Sequence, residues 1–423
     1  MNNKTYPTTE KEWAKYLTIK NYYTMNEIGY KKNLIEDSNC NFDKIVEIVQ
    51  DYRNKHRNTI FEFNEKKFYI VETQKLKNNI EDIKNFWKTT EYLVKDKFTF
   101  ELLKETLICE GFYSSTIEGA HSTVKRARTL AKGYEQPKDK DELMIYNNFT
   151  ALMELRNKDD MIDNDLIQNI HNITTKGTLE KVEDEGIYRT VPNEILGSNQ
   201  KVIFIPPQNI SIMNKMIDEL LEFLQEDELK KPIDNIYKAI SFHFLFSYIH
   251  PFIDGNGRTV RILFTYLLKH YGYDMFYYIS LSEIIYRKKA KDYYKSFIDV
   301  ERSDLNDKNS YDMTYFFYYM SDVMIKGLSI LKTRINTHMR EDVIKHIVDD
   351  KKIDLTPRQK KIIKILSNKD SSFMLTAQDM ADRFKLSDRT IQKDLKLLID
   401  FNLIVRIKAP NQRKYYFRLN IDL

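Results

Sequence analysis

Within twelve consecutive residues, His250-Pro251-Phe252-Ile253-Asp254-Gly255-Asn256-Gly257-Arg258-Thr259-Val260-Arg261, the chain sets an imidazole, a carboxylate, a Gly-Asn-Gly turn and two guanidinium groups. Each has a use in phosphate chemistry. His250, with an ordinary pKa near ~6.5, can accept a proton at neutral pH as a general base. Asp254 is a lone hard oxygen ligand, of the kind that holds Mg2+ when phosphates and waters fill the other positions. Gly255, Asn256 and Gly257 can turn tightly with amides pointing inward, an anion nest. Arg258 and Arg261, three apart on the first turn of a helix, share a face from which two guanidinium forks can clamp a polyphosphate. Together they describe a hydroxyl, deprotonated by His250, attacking a nucleotide phosphate. Taken singly, each also has a plain structural use, a histidine at a helix end or an Asn-Gly pair in a turn. The ordered set carries the functional reading.

Two helices must hold this stretch. Ile236 to Ile249 has apolar residues wide enough around the helix to be buried, and the proline after His250 takes that residue out of helical conformation. The apolar run Ile262 to Leu268 continues a second helix, whose unpaired N-terminal amides lie at the positive end of its dipole and make a seat for phosphate. Further upstream, Phe98 to Cys109 is a helical stripe leading into Ser114 to Gly119, either a helix end with its glycine or a turn of short helix; on these grounds alone Glu118 is a solvated side chain. Two more helical patterns lie between Glu142 and Asn172, with Asp163 or Asn164 as a cap. The runs Ile195-Leu196 and Val202 to Ile205 flank Gly197-Ser198-Asn199 as a hairpin that must lie on the helices and can act as a lid.

The stretch His250 to Arg261 matches without exception the Fic signature H-x-F-x-[DE]-G-N-G-R-x-x-R, eight fixed positions. Ser114-x-x-x-Glu118-Gly119 resembles the inhibitory motif [ST]-x-x-x-E-[GN], placed before the core as in class II members. The hairpin from Tyr188-Arg189 to Pro206-Pro207 resembles the flap that docks a target, and Tyr293-Tyr294 resembles a tyrosine pair near the adenine. The resemblance spans roughly residues 96 to 335. It implies a Fic-type protein adenylyltransferase, moving AMP from ATP with Mg2+ to a Ser, Thr or Tyr hydroxyl of a protein target or of itself. By resemblance, His250 is the base and Asp254 holds the metal. Asn256, Gly257 and Arg258 hold the α- and β-phosphates, with Gly255 also in the phosphate-binding set, Arg261 grips the γ-phosphate, and Leu196, Gly197, Ser198 and Asn199 touch nucleotide from the flap. Glu118, with Ser114 and Gly119 in its motif, then inhibits by pairing with Arg261. Where some members carry an amide seven residues after the tyrosine pair, this chain has Glu301. Some members transfer phosphate or phosphocholine, but the phosphorylating ones alter the Asp-Gly-Asn-Gly segment that is intact here.

The C-terminal segment has a different texture. Residues 351–423 hold 17 Lys and Arg against 8 Asp and Glu, a net +9, whereas the preceding 350 hold 50 against 54. Thr356-Pro357 opens a helix, Thr376 a second at Ala377 to Phe384, and Ser387 a third at Asp388 to Asp400; Ile404 to Lys408 and Lys414 to Leu419 read as a hairpin. That order resembles the winged helices that follow some Fic cores. Arg389, Thr390, Gln392, Lys393 and Lys396 on the third helix, and Arg406, Lys408, Arg413 and Lys414 on the hairpin, suit DNA contact, though winged helices also dock proteins.

The expected architecture is therefore mainly α. It comprises an N-terminal mixed region at 1–95 with no motif, a Fic core with its flap at 96–335, a linker at 336–352 and a winged helix-turn-helix at 353–423. The 42% hydrophobic and 30% charged composition suits a soluble protein. No run of about 18 apolar residues suggests a membrane span, and no leader pattern opens the chain, so a cytoplasmic location is expected. Cys40 and Cys109 read as bystander thiols, and the histidines show no metal spacing. Two alternatives remain: a DNA-binding regulator using the Fic core as a nucleotide sensor, and removal of AMP with Glu118 positioning water. The target and any homo-oligomeric state are left open.

Overall fold

The structure, a computed structural model, describes residues 6–97, 100–196, 201–225, 233–305, 309–367, 374–408 and 414–420. Short helices open the chain: α1 (Glu10–Lys15), α2 (Met25–Gly29) and α3 (Lys32–Glu36). A capping box between Thr24 and Glu27 starts α2, and the three pack with α4 (Phe42–Lys55) around buried Trp13, Leu17, Ile28, Ile45 and Val49. Strands β1 (Arg57–Phe63) and β2 (Lys66–Val71) form an antiparallel pair. Next come α5 (Gln74–Lys97), α6 (Phe100–Ile117), α7 (Val124–Ala131), α8 (Lys140–Leu155, capped by Asp139) and α9 (Asn164–Thr175, capped by Asp163).

The hairpin β3 (Ile195–Leu196) and β4 (Val202–Phe204) precedes α10 (Ile210–Gln225), α11 (Asn235–Ile249), α12 (Asn256–His270) and α13 (Leu281–Glu301). A third strand, β5 (Ser310–Asp312), runs parallel to β2 with Lys67 opposite Ser310. The N-terminal region is thus no separate module. Met1–Thr89 joins Phe100–Gly327 in one compact unit, and a buried network ties it down. The Tyr22 hydroxyl donates to Asp312, Asp312 accepts from the Thr314 amide, and Arg53 donates to the Tyr315 hydroxyl and the Tyr23 carbonyl. Buried polar groups that find each other in this way fix the register of the parts they join.

The second unit comprises Thr90–Thr99 and Leu328–Leu423. Helix α14 runs unbroken from Thr314 to Asp350, so the expected linker at 336–352 is helical up to Asp350. Ile344 is buried there, with Ile347 and Val348 packed beside it against Leu355, Ile362 and Leu398; apolar residues at helical spacing keep the turns intact. Beyond it lie α15 (Pro357–Ser367), β6 (Leu375–Thr376), α16 (Ala377–Phe384), α17 (Asp388–Asp400), β7 (Ile404–Lys408) and β8 (Tyr415–Leu419), with sheet order β6-β8-β7. A Thr376–Asp379 capping box and the Ser387 cap set the starts of α16 and α17 where the sequence placed them. Both cysteines are free. Among the described residues no helix is long and apolar enough to cross a membrane.

Candidate active site

The loop between α11 and α12 carries the site. Helix α11 is apolar on nearly every face, so its end is rigidly held; its cap residue His250 is left-handed (φ 51°, ψ 61°), a conformation uncommon outside glycine. The His250 Nδ1 lies 3.4 Å from the Ser247 carbonyl. Donation there leaves Nε2 as the basic nitrogen. Desolvation pulls this imidazole down to about 4, against the opposing pull of the Ser247 carbonyl and the Glu118 and Asp254 carboxylates. It is therefore neutral at physiological pH, as a general base must be.

Every carbonyl from 250 to 254 is held by a donor. Arg189 Nε reaches His250 O at 2.9 Å and the Arg189 amide reaches Pro251 O at 2.8 Å. Asn256 Nδ2 holds Phe252 O at 2.8 Å, Asn193 Nδ2 holds Ile253 O at 3.2 Å, and His171 Nε2 lies 2.8 Å from Asp254 O. His171 takes the Gly186 amide at Nδ1, which fixes Nε2 as its donor, and stacks on Phe252 at 3.6 Å. Desolvation holds it down to about 4, hence neutral. With the carbonyls engaged, the amides of Asn256, Gly257 and Arg258 lie ahead of the first helical bond, Thr259 N to Gly255 O at 3.0 Å, the position at which a helix N-terminus can receive an anion. Asp254 is exposed, with Oδ1 turned to the Gly255 amide at 2.6 Å. Gly255 sits at φ 81°, and a Cβ there would lie 2.5 Å from Thr175 Cγ2.

The predicted phosphate residues divide by role. The Asn256 side chain is buried and spent inside the loop, with Oδ1 accepting from the Phe252 amide at 3.0 Å, which leaves its backbone amide as the group able to meet an anion. Arg258 is buried and donates to Thr174 O at 3.0 Å. Arg261 is gripped from α6: Nε donates to Ser114 Oγ and Nη2 to Ser114 O, both at 2.9 Å, and Nη2 also reaches Glu118 Oε1 at 2.8 Å. Desolvation works against its charge, but the Glu118 carboxylate and the phenols of Tyr293 and Tyr294 outweigh it, so the guanidinium holds its proton more firmly than usual. Gly257 makes room for this pairing, because a Cβ there would lie 2.2 Å from Glu118 Oε1.

Helix α6 ends just before Glu118, and Gly119 (φ 95°) turns the chain away. One face of α6 holds the surroundings in place. Glu110 accepts from Ser280 Oγ and the Ser282 amide at 3.0 Å each, at the start of α13, and desolvation raises its pKa. Gly111 packs so closely on α8 that a Cβ would meet Phe149 N at 2.9 Å. Beyond the turn, the His121 amide donates to Asp141, and Arg126 forms a two-pronged pair with Glu142.

The tyrosine pair splits. Tyr293 is buried, with its hydroxyl 2.7 Å from His243 Nε2 among Phe264, Phe297 and Phe316, whereas Tyr294 is 39% exposed beside Ile117. Desolvation pushes Glu301 up to about 8. In the flap, Leu196, Val202 and Ile203 are exposed; Gly197, Ser198 and Asn199 lie outside the described residues. In the second unit, Arg389, Gln392, Lys393 and Lys396 are exposed on α17, while Thr390 is half-buried and shares a hydrogen bond with the Ser387 hydroxyl. Lys408 and Lys414 are exposed, Arg406 lies over Tyr415, and Arg413 falls outside the described residues. Sequence reading gave no role to His171, Asn193, Glu110 or His243, and took Arg189 only as one end of the flap. A histidine in a helix and an arginine before a hairpin carry no local mark of what they clamp.

A helical core that presents this loop beside a β-hairpin is similar to a Fic domain: residues 161–268 match the model of the Fic/DOC family, and residues 358–417 match that of an HTH domain. A crystal structure of a Fic family protein from Desulfovibrio desulfuricans shares the fold, with a TM-score of 0.54 at 19% identity, covering 86% of this chain and 98% of that one. Among curated proteins, a probable protein adenylyltransferase of Aquifex aeolicus is 42% identical over 69 residues, 16% of this chain and 20% of its own. The protein adenylyltransferase Fic of Nematostella vectensis is 28% identical over 178 residues, 40% of this chain and 39% of its own. The match thus spans at most about two fifths of either relative's length.

Proposed function

We propose that this protein transfers AMP from ATP to a hydroxyl side chain of a protein, and that Glu118 restrains it. The observation that carries the reading is the convergence on one loop of a neutral His250, an exposed Asp254 and the free amides of Asn256 to Arg258, with Arg261 held by Glu118 at 2.8 Å. His250 Nε2 takes the proton as the acceptor oxygen attacks the α-phosphorus, and the bond to the leaving pyrophosphate breaks. The loop amides and Arg258 neutralise charge that grows on the phosphate oxygens. A single exposed carboxylate fits a divalent ion whose remaining ligands are phosphates and waters, so Asp254 would hold Mg2+ here, and the ion would supply charge neutralisation when bound. While Glu118 occupies Arg261, the guanidinium is unavailable to a terminal phosphate and the α-phosphorus is poorly aligned for attack. Labelled ATP with Mg2+ tests the reading: Glu118→Gly should label itself faster than the parent, and adding His250→Ala should abolish labelling while ATP still binds.

The match of residues 358–417 to an HTH domain, with exposed cations on α17, favours DNA as a second partner. An electrophoretic shift at two salt concentrations tests this, and no binding even at low salt would end the DNA reading.

A further inference from the structure

Arg189 is 2% exposed, and the hydrogen bonds of its guanidinium go to carbonyl oxygens rather than to a carboxylate. Burying a cation is costly, and desolvation lowers its pKa accordingly. Its guanidinium faces three carbonyls. Nη1 donates to Val191 O at 3.0 Å at the entry of the flap, Nη2 to Pro207 O at 2.6 Å at its exit, and Nε to His250 O at 2.9 Å. Its amide adds a fourth bond, to Pro251 O at 2.8 Å. One planar group thus closes the two stalks of the hairpin on each other and fastens both to the backbone of the candidate base.

The point of attachment matters. His250 sits in a left-handed conformation that a residue with a Cβ adopts reluctantly, and Pro251 follows it, so the ring's direction depends on what restrains this peptide. The Ser247 contact at 3.4 Å is long, whereas the bonds from Arg189 are short and aligned. Lysine carries its three donors on a single nitrogen and cannot span three carbonyls set apart around a plane; a guanidinium, with donors on three nitrogens, can.

We propose that Arg189 is a positioning residue for AMP transfer that couples the flap to His250, so that a target strand seated on the hairpin and the base that serves it are set by one side chain. The inference rests on the transferase reading above but not on the role of Glu118. It predicts a defect in turnover rather than in nucleotide binding, because Arg189 points at backbone and not at the anion seat.

The test uses the full chain in the Glu118→Gly background. Arg189→Ala should lower kcat by roughly 100-fold, the scale of a misplaced reacting group, with KM for ATP nearly unchanged. Guanidinium chloride at millimolar concentration should restore kcat saturably by about tenfold or more, where urea and NaCl do not. Arg189→Lys, which leaves a smaller hole, should be impaired in kcat without guanidinium rescue. An Arg189→Ala variant that keeps kcat, or one whose loss lies wholly in KM, overturns the proposal. If the Glu118→Gly protein transfers no AMP, the transferase reading fails, and hydrogen exchange still judges the clamp. Amides in 250–254 and in the described flap residues should exchange faster together in the alanine variant and recover with guanidinium; unchanged exchange in either segment overturns it.

Discussion

Glu118→Gly removes the hydrogen bond from the Arg261 guanidinium to a carboxylate. The two that it donates to Ser114 remain, so the guanidinium keeps its position and becomes available. A hydrogen bond to a charged group contributes about 1.5–3 kcal/mol. The Glu118 side chain is 31% exposed, so solvent screening sets the pair near the lower end of that range. At about 1.4 kcal/mol per factor of ten, that is roughly a tenfold gain in correctly seated nucleotide. Better alignment of the α-phosphorus adds to it, for an expected rise of about 10- to 100-fold in transfer. The assay is the initial rate of label transfer from ATP with Mg2+ at matched saturation. Glu118→Gln, which keeps the size and drops the charge, should fall between parent and glycine variant. Equal rates for all three would refute the idea that Arg261 is contested.

Three further outcomes are expected. Because His250 is held down to about 4, the base stays deprotonated through the neutral range and activity is lost only as pH falls toward that value; kcat/KM of the Glu118→Gly protein should be flat between about pH 8 and 5.5, and a break near 6.5 would contradict the burial. Gly111→Ala should destabilise the protein by about 1–3 kcal/mol in urea titration, since its Cβ would meet the backbone of Phe149 at 2.9 Å and neither helix can yield freely. If α17 lies along duplex DNA, Lys393→Ala with Lys396→Ala should weaken binding and lower the slope of log affinity against log salt by about two, as for two lost phosphate contacts.

What the sequence made legible was local. The starts of α16 and α17 were readable because Thr376 and Ser387 cap them through bonds three residues away. The loop between α11 and α12 was readable because its residues are contiguous, and the contact of the distant Glu118 with Arg261 because its motif resembles a known one. Long-range partners left no such trace. Nothing near Lys67 announces a parallel strand at Ser310, and nothing near Asp312 announces Tyr22. The segment 336–352 is charged enough to read as a linker, yet Ile344, Ile347 and Val348 give it a face to pack. Tyr293 and Tyr294 are adjacent in sequence, so helical geometry turns one into the aromatic core and leaves the other at the rim. The carbonyl clamps from His171, Arg189 and Asn193 exist only once the flap stalk lies on the loop.

The central claim is that the loop from His250 to Arg261 moves AMP. The most direct measurement compares ATP labelled at the α-phosphorus with ATP labelled at the γ-phosphorus, each incubated with Mg2+ and the Glu118→Gly protein, with and without His250→Ala. The account predicts protein-bound label from the α-phosphorus alone, and none once His250 is gone. Label from the γ-phosphorus, or α-label that persists without His250, would contradict it.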